Sequence, residues 1–252
     1  MTRQGSTPFG EEGRRLSYGS YLKIPELLSL QQGLSEAHDE LLFITVHQAY
    51  ELWFKVVLFE LESARDRIAA DEVFWARHLL ERVRVIERLL VDQVDVLETM
   101  APQDFLDFRS QLAPASGFQS VQFREIEFLS GLKDAGYLDR LEASGEERAR
   151  LQRRLAEPSL ADAFHGLLEK RGSPSLLEVF HHRERWADLF DLCEALLDHD
   201  EAFALWRSRH VLMVERQIGR KPGTGGSTGA GYLRSTLEKR FFPELWELRS
   251  EL

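Results

Sequence analysis

Two histidines stand alone in apolar helical surroundings, and isolated imidazoles in such places are candidates for ligand or proton chemistry. In LLFITVHQAYELWFKVVLFEL, residues 41–61, Phe43, His47, Tyr50 and Phe54 recur at spacings of four, three and four, while Leu42, Val46, Trp53, Val56 and Val57 cover the other faces. A helix apolar nearly all round belongs inside the molecule, so His47 is an interior imidazole with Phe43 one turn away. In DEAFALWRSRHVLMVERQIGRKPGTGGSTGAGYL, residues 200–233, the stripe is Phe203, Trp206, His210, Met213 and Gln217, with Arg207, Arg209, Glu215 and Arg216 left to pair or to meet water. Each histidine admits two readings. One is a core residue satisfied by a backbone carbonyl. The other is a ligand: a neutral imidazole among aromatic and thioether groups suits the axial position of a flat porphyrin, which needs apolar walls and one basic nitrogen. A bare ion would ask for a second ligand one turn away. His210 has none, and His47 has only Glu51, which Lys55 is placed to claim in an i,i+4 pair.

Arg109 is the third unusual residue. In PQDFLDFRSQL it lies one turn from Phe105, with Phe108 and Leu112 widening the apolar side, so its guanidinium is expected among aromatics, where it would call for a bidentate anion such as a ligand carboxylate. Arg124 differs, because Glu127 at i+3 meets its charge locally. The loop GRKPGTGGSTGAGY is not a phosphate cradle: Lys221 precedes the glycines and no strand leads in. Its Thr224 hydroxyl and backbone N–H groups are free to close over a small polar group, or the loop is a solvated linker. Cys193 sits in the apolar run LFDLCEALL with no second cysteine in the chain, and reads as a core thiol.

The elements that position these residues are helical. Alternating strand patterns bounded by Asn-Gly or Asp-Gly turns do not occur, so the class is all-α. Residues 1–15 read as a flexible arm and 16–252 as a single helical domain. Pro25 falls in the first turn of a short helix. Ser35 is placed to cap a helix running to about Leu61, with Glu36, Asp39 and Glu40 favouring its positive end. Helical spacing continues through 72–98 and 118–132. The charged stretch 133–178 reads as a solvated helix pair, broken at Arg171-Gly172-Ser173-Pro174. Helices then cover 176–198, the His210 stripe as far as Gly219, and 232–241. The 252 residues suffice for a sizeable core. With 32 basic against 42 acidic residues, a net charge of −10 and no block of like charge, nucleic acid is not an expected partner. No run approaches the apolar length of a membrane span and the N-terminus lacks a signal-peptide core, so a cytoplasmic protein with no membrane partner is expected.

The segments SYGSYLKIPELLSLQQ, HDELLFITVHQAYELWFK, PQDFLDFRSQLAPASGFQSVQFREIEF, LWRSRHVLMVERQIGRKPGTGGSTGAGYL and FFPELWELR, in this order, resemble tryptophan 2,3-dioxygenase. The resemblance covers about 16–130 and 190–250. It implies an all-helical haem oxygenase, usually a homotetramer, with haem b active in the Fe2+ form and O2 as co-substrate, cleaving the C2–C3 bond of L-tryptophan to N-formylkynurenine. By position, His210 matches the haem iron ligand and His47 the catalytic distal residue that accepts the indole N–H. Phe43 matches an aromatic wall, Phe105 a position held by aromatics, Arg109 the arginine on the substrate carboxylate, and Thr224 the threonine on its ammonium. Tyr18, Tyr21 and Leu22 match residues that line a neighbouring subunit's pocket. Where the family typically has a Trp, this chain has Val94. Together with the brevity of 133–178, that keeps an alternative in view: a haem monooxygenase of a substituted (for example methylated) tryptophan in specialised metabolism.

Overall fold

The computed structural model describes residues 16–141, 144–225 and 229–252, and among them every regular element is a helix. The expected arm at 1–15 lies outside the described residues. Ser17 and Ser20 close a capping box on α1 (Tyr18–Leu22), and Pro25 stands in the first turn of α2 (Ile24–Leu27). The long α3 (Glu40–Ala69) begins five residues later than Ser35, which does not cap it. Instead the Glu40 carboxylate turns back to accept the Leu34 and Ser35 N–H groups, each at 2.8 Å, and the Ser35 hydroxyl at 2.6 Å. Those bonds hold its carboxyl below the usual range.

A tight turn leads into α4 (Val73–Leu97), antiparallel to α3, with Arg82 on Glu60 at 2.7 Å and the Tyr50 hydroxyl donating to the Leu90 carbonyl at 2.8 Å. Then come α5 (Pro102–Leu112), a 3-10 turn at Gly117–Gln119, and α6 (Val121–Ser130), capped by Ser120. The stretch expected to be a solvated helix pair holds α7 (Tyr137–Arg140), α8 (Gly145–Ala156), α9 (Leu160–Lys170) and α10 (Leu176–His181). It is less solvated than its charges suggest: α9 buries Leu160, Phe164 and Leu167 against α3, and α8 buries Leu151 beneath α6.

Helix α11 (Ala187–Ile218) is one 32-residue rod where the sequence suggests two helices. The polar run at 198–200 looks like a break, but the helix continues through it with His199 and Asp200 buried and bonded. His199 Nδ1 lies 2.7 Å from the Glu87 carboxyl and its Nε2 2.9 Å from the Ser130 hydroxyl. Asp200 accepts the Phe241 and Phe242 N–H groups and the Trp246 indole N–H at 2.8–3.0 Å. In place of the expected helix 232–241 there is only the short α12 (Ala230–Arg234); α13 (Pro243–Glu247) follows beyond it, with the Phe241–Phe242 corner tied to the same carboxylate between them.

Helix α11 runs parallel to α4, as the pairs Arg77–Asp191 (2.7 Å), Glu87–His199 and Arg209–Asp95 (2.6 Å) show. Leu61, Ile68, Leu80, Val83, Leu90, Leu192 and Leu196 fill the seam of α3, α4 and α11. Each such side chain contributes about 1.5–3 kcal/mol by leaving water. An 18-residue window of α3 is long and apolar enough, by length and composition, to cross a membrane, which corrects the expectation that no run approaches that length. In this fold α3 packs against α4, α6 and α9, the place of a core helix, while Leu52, Val56 and Phe59 leave a second face exposed.

Candidate functional site

The helix registers bring the two histidines to one level. Tyr50 of α3 bonds to the Leu90 carbonyl of α4, and its ring meets Trp206 of α11 at 6.1 Å. One turn toward the start of α3 is His47. One turn toward the ends of the parallel α4 and α11 are Val94 and His210. The three positions therefore form one layer of the bundle, drawn from segments remote in sequence.

His47 Nδ1 lies 2.7 Å from the Phe43 carbonyl, which can only accept, so the proton of the neutral ring sits on Nδ1 and Nε2 keeps its lone pair. Burial pushes the His47 pKa down, against the opposing pull of the Phe43 carbonyl and the Glu51 charge. The Phe43 ring is 4.1 Å from the imidazole, and Phe105 and fully buried Phe108 pack on Phe43 at 5.6 Å each. Glu51 is not paired with Lys55 as expected: it accepts the Ser120 hydroxyl at 2.6 Å and the Gln122 amide at 2.7 Å, so α6 holds it away from ligand duty.

Burial, with the His47 charge acting in the same direction, lowers the His210 pKa to about 4, so the two rings cannot readily be cationic together. The residue keeps part of its surface open although protein crowds it closely enough for burial to dominate its charge state. Trp206 stacks on it at 5.0 Å. No hydrogen bond to its ring is present among the described residues. No group of three His, Cys, Asp or Glu able to hold a bare ion occurs among them either. A lone neutral imidazole without hydrogen bonds, in an aromatic setting, fits a prosthetic group that brings its own equatorial donors. These residues fit haem.

Helix α5 and the Gly loop are joined by two bonds in opposite senses. Arg109 Nη2 donates to the Pro222 carbonyl, and the Thr224 hydroxyl donates to the Ala115 carbonyl at 2.6 Å. A Cβ at Gly225 would stand 2.6 Å from that of Ser116, so only glycine permits this approach. Gly229 has φ +64°, and a Cβ there would meet the Lys221 carbonyl at 2.6 Å, closing the base of the loop. Residues 226–228 lie outside the described residues. The expectation of Arg109 among aromatics is corrected: it is half-buried, on the carbonyl of Pro222, more than 100 positions away. A guanidinium and a hydroxyl at one edge can receive a carboxylate and an ammonium.

Tyr18, Tyr21 and Leu22 are not brought to this site within the chain; they stand exposed on α1. Two surface clefts, of about 550 and 410 Å³, lie along the start of α4 and the first half of α11, lined by Phe74, Arg77 and Asp191, and contain neither histidine. The Pro222 and Ala115 carbonyls carry no signal in the sequence, because the backbone groups a side chain meets depend on the fold.

The sequence profile of the family described as tryptophan 2,3-dioxygenase matches residues 2–176 and 170–252. The chain is 56% identical to a tryptophan 2,3-dioxygenase of Nocardioides sp. over 97% of each chain. It is 46% identical to one of Herpetosiphon aurantiacus and 44% identical to one of Caulobacter vibrioides, each over 94% of this chain and 98% of the relative.

Proposed function

The chain belongs to the tryptophan 2,3-dioxygenase family, and from that membership we propose that it is an oxidoreductase that uses O2 to open the C2–C3 bond of the indole ring of L-tryptophan, giving N-formylkynurenine. The family is haem-dependent. The His210 imidazole would hold haem b, active as Fe2+. The observation that carries this reading is the single layer shared by His47 and His210, with Arg109 bonded to the Gly loop at Pro222 and Thr224 bonded back to Ala115 just after α5.

Haem bound at His210 would supply the redox chemistry with O2. The chain's own residues orient and dry the substrate. His47 Nε2, with its proton already on Nδ1, accepts the indole N–H; that N–H is very weakly acidic, so the bond aims the ring rather than deprotonating it. Phe43 and Phe105 provide the flat walls. Arg109 exchanges the Pro222 carbonyl for the substrate carboxylate, and the Thr224 hydroxyl approaches the ammonium. Holding both ends of the amino acid sets C2 and C3 in place and excludes water. Exposed Tyr18, Tyr21 and Leu22 reach a neighbour's pocket in a homotetramer, and the Leu52, Val56 and Phe59 face of α3 is covered in that assembly. The enzyme works in the cytoplasm. Single-oxygen transfer to a substituted tryptophan is not favoured, since the relatives are dioxygenases by name.

Mass spectrometry of the product formed from tryptophan under ¹⁸O2 tests the reaction. Two labelled oxygens with an opened ring are expected; one labelled oxygen with the ring kept would overturn it.

A further inference from the structure

Trp206 lies on α11 one turn before His210, its ring centroid 5.0 Å from the imidazole and its plane 7° from parallel. A histidine that binds a metal ordinarily has its second ring nitrogen held by a carboxylate, a carbonyl or water, which fixes the ring plane. His210 has no such bond among the described residues, and Val94, at its level on α4, is buried and has no side-chain donor or acceptor. The indole is itself clamped. Tyr50 meets it edge-on at 6.1 Å and 74°, Phe123 packs on it at 5.1 Å, and Tyr50 is pinned by its bond to the Leu90 carbonyl. The buried Trp206 indole N–H is turned toward the Tyr50 hydroxyl, while its flat face lies against His210.

We propose that Trp206 is a positioning residue for His210: its indole face, clamped by Tyr50 and Phe123, sets the plane of the imidazole in place of the missing hydrogen bond. The proposal rests on the reading of His210 as the residue that would hold the haem. It assigns Trp206 no contact with tryptophan or with O2. A flat aromatic in its place should preserve the arrangement, and an aliphatic side chain should release the ring.

The test uses full-length holoenzyme and the variants W206F, W206L and H210A. It reads the iron–imidazole stretching band by resonance Raman on the ferrous protein, the rate of haem transfer to excess apomyoglobin, and the thermal midpoint of each haem-free chain. W206F should keep the band and release haem at close to the native rate. W206L should shift or broaden the band and release haem about 10–100-fold faster, the usual effect of removing a support behind a metal ligand, with a thermal midpoint no lower than that of W206F. An unchanged band and release rate in W206L would overturn the proposal, as would W206F losing haem as fast as W206L. If W206L does not fold, W206M, which fills the space without a flat face, replaces it with the same expected results. H210A separates the two claims. Loss of the band in H210A upholds the ligand whatever the Trp206 variants do, and a retained band refutes the ligand and the proposal with it.

Discussion

The Nδ1 of His47 sits 2.7 Å from the carbonyl oxygen of Phe43, one turn earlier on α3. That bond commits the only proton of the neutral imidazole to the backbone and leaves Nε2 as an acceptor aimed away from its own helix. Burial favours the neutral form further by lowering the pKa below its ordinary value. The acceptor is therefore present throughout the neutral pH range.

The pH profile of kcat/KM should reflect this. An ordinary histidine titrates near 6.5. With its pKa depressed, His47 stays neutral below that value and becomes a second donor, unable to accept the indole N–H, only at lower pH. The expected profile is level through pH 6.5 with its acid limb below; a limb centred at 6.5 or above would contradict the assignment. Replacing His47 by Ala removes one neutral hydrogen bond, worth about 1 kcal/mol or roughly fivefold in kcat/KM. Complete loss of turnover with haem intact would instead make His47 a general base.

Arg109 is bound to a carbonyl that it can surrender, and its planar fork is what a carboxylate matches. Arg109→Lys keeps the charge and loses the fork. Its KM for tryptophan should rise about tenfold or more, the equivalent of at least 1.4 kcal/mol, with haem content unchanged. Steady-state kinetics check this, and a Lys variant with native KM would place the carboxylate elsewhere.

Glu127 stands between two buried guanidiniums: it takes a bond from Arg124 and, at 2.9 Å, one from Arg207, and all three side chains are nearly sealed from water. Replacing it by Gln leaves two buried cations without their counter-charge. The expected loss is about 3–5 kcal/mol in urea unfolding, although no atom of the reaction is touched. A loss under about 1 kcal/mol would mean the cluster relaxes toward solvent.

The Cys193 thiol is buried, and burial, reinforced by the neighbouring Glu194 charge, pushes its pKa up to about 12. At pH 8 the native chain should be inert to Ellman's reagent, and one thiol per chain should react on denaturation. Rapid labelling of the native protein would show that α11 opens.

Much of this site is legible in the sequence wherever the signal is local. The stripe Phe43–His47–Tyr50–Phe54 follows from helical spacing alone, and so does the Arg124–Glu127 pair at i+3. What cannot be read locally depends on partners far along the chain. The run at 198–200 looks like a helix break because nothing nearby shows that Glu87, Ser130 and the Phe241–Phe242 backbone will bond to it. Glu51 looks free for Lys55 because Ser120 and Gln122 lie about 70 positions away. Arg109 looks destined for aromatics because its carbonyl partner belongs to the Gly loop. Ser35 looks like a cap because the reach of Glu40 back to it depends on a chain reversal, not on periodicity.

The most direct test of one site shared by two helices is the visible spectrum of the ferrous haem protein, taken with and without tryptophan, for the native chain, H210A and H47A. The native chain should show a histidine-ligated haem whose bands move on adding tryptophan. H210A should lose the ligated spectrum, and H47A should keep it while needing more tryptophan for the same shift. A native-like spectrum in H210A, or a tryptophan response in H47A identical to that of the native chain, would contradict the arrangement of His210 and His47 about one bound indole.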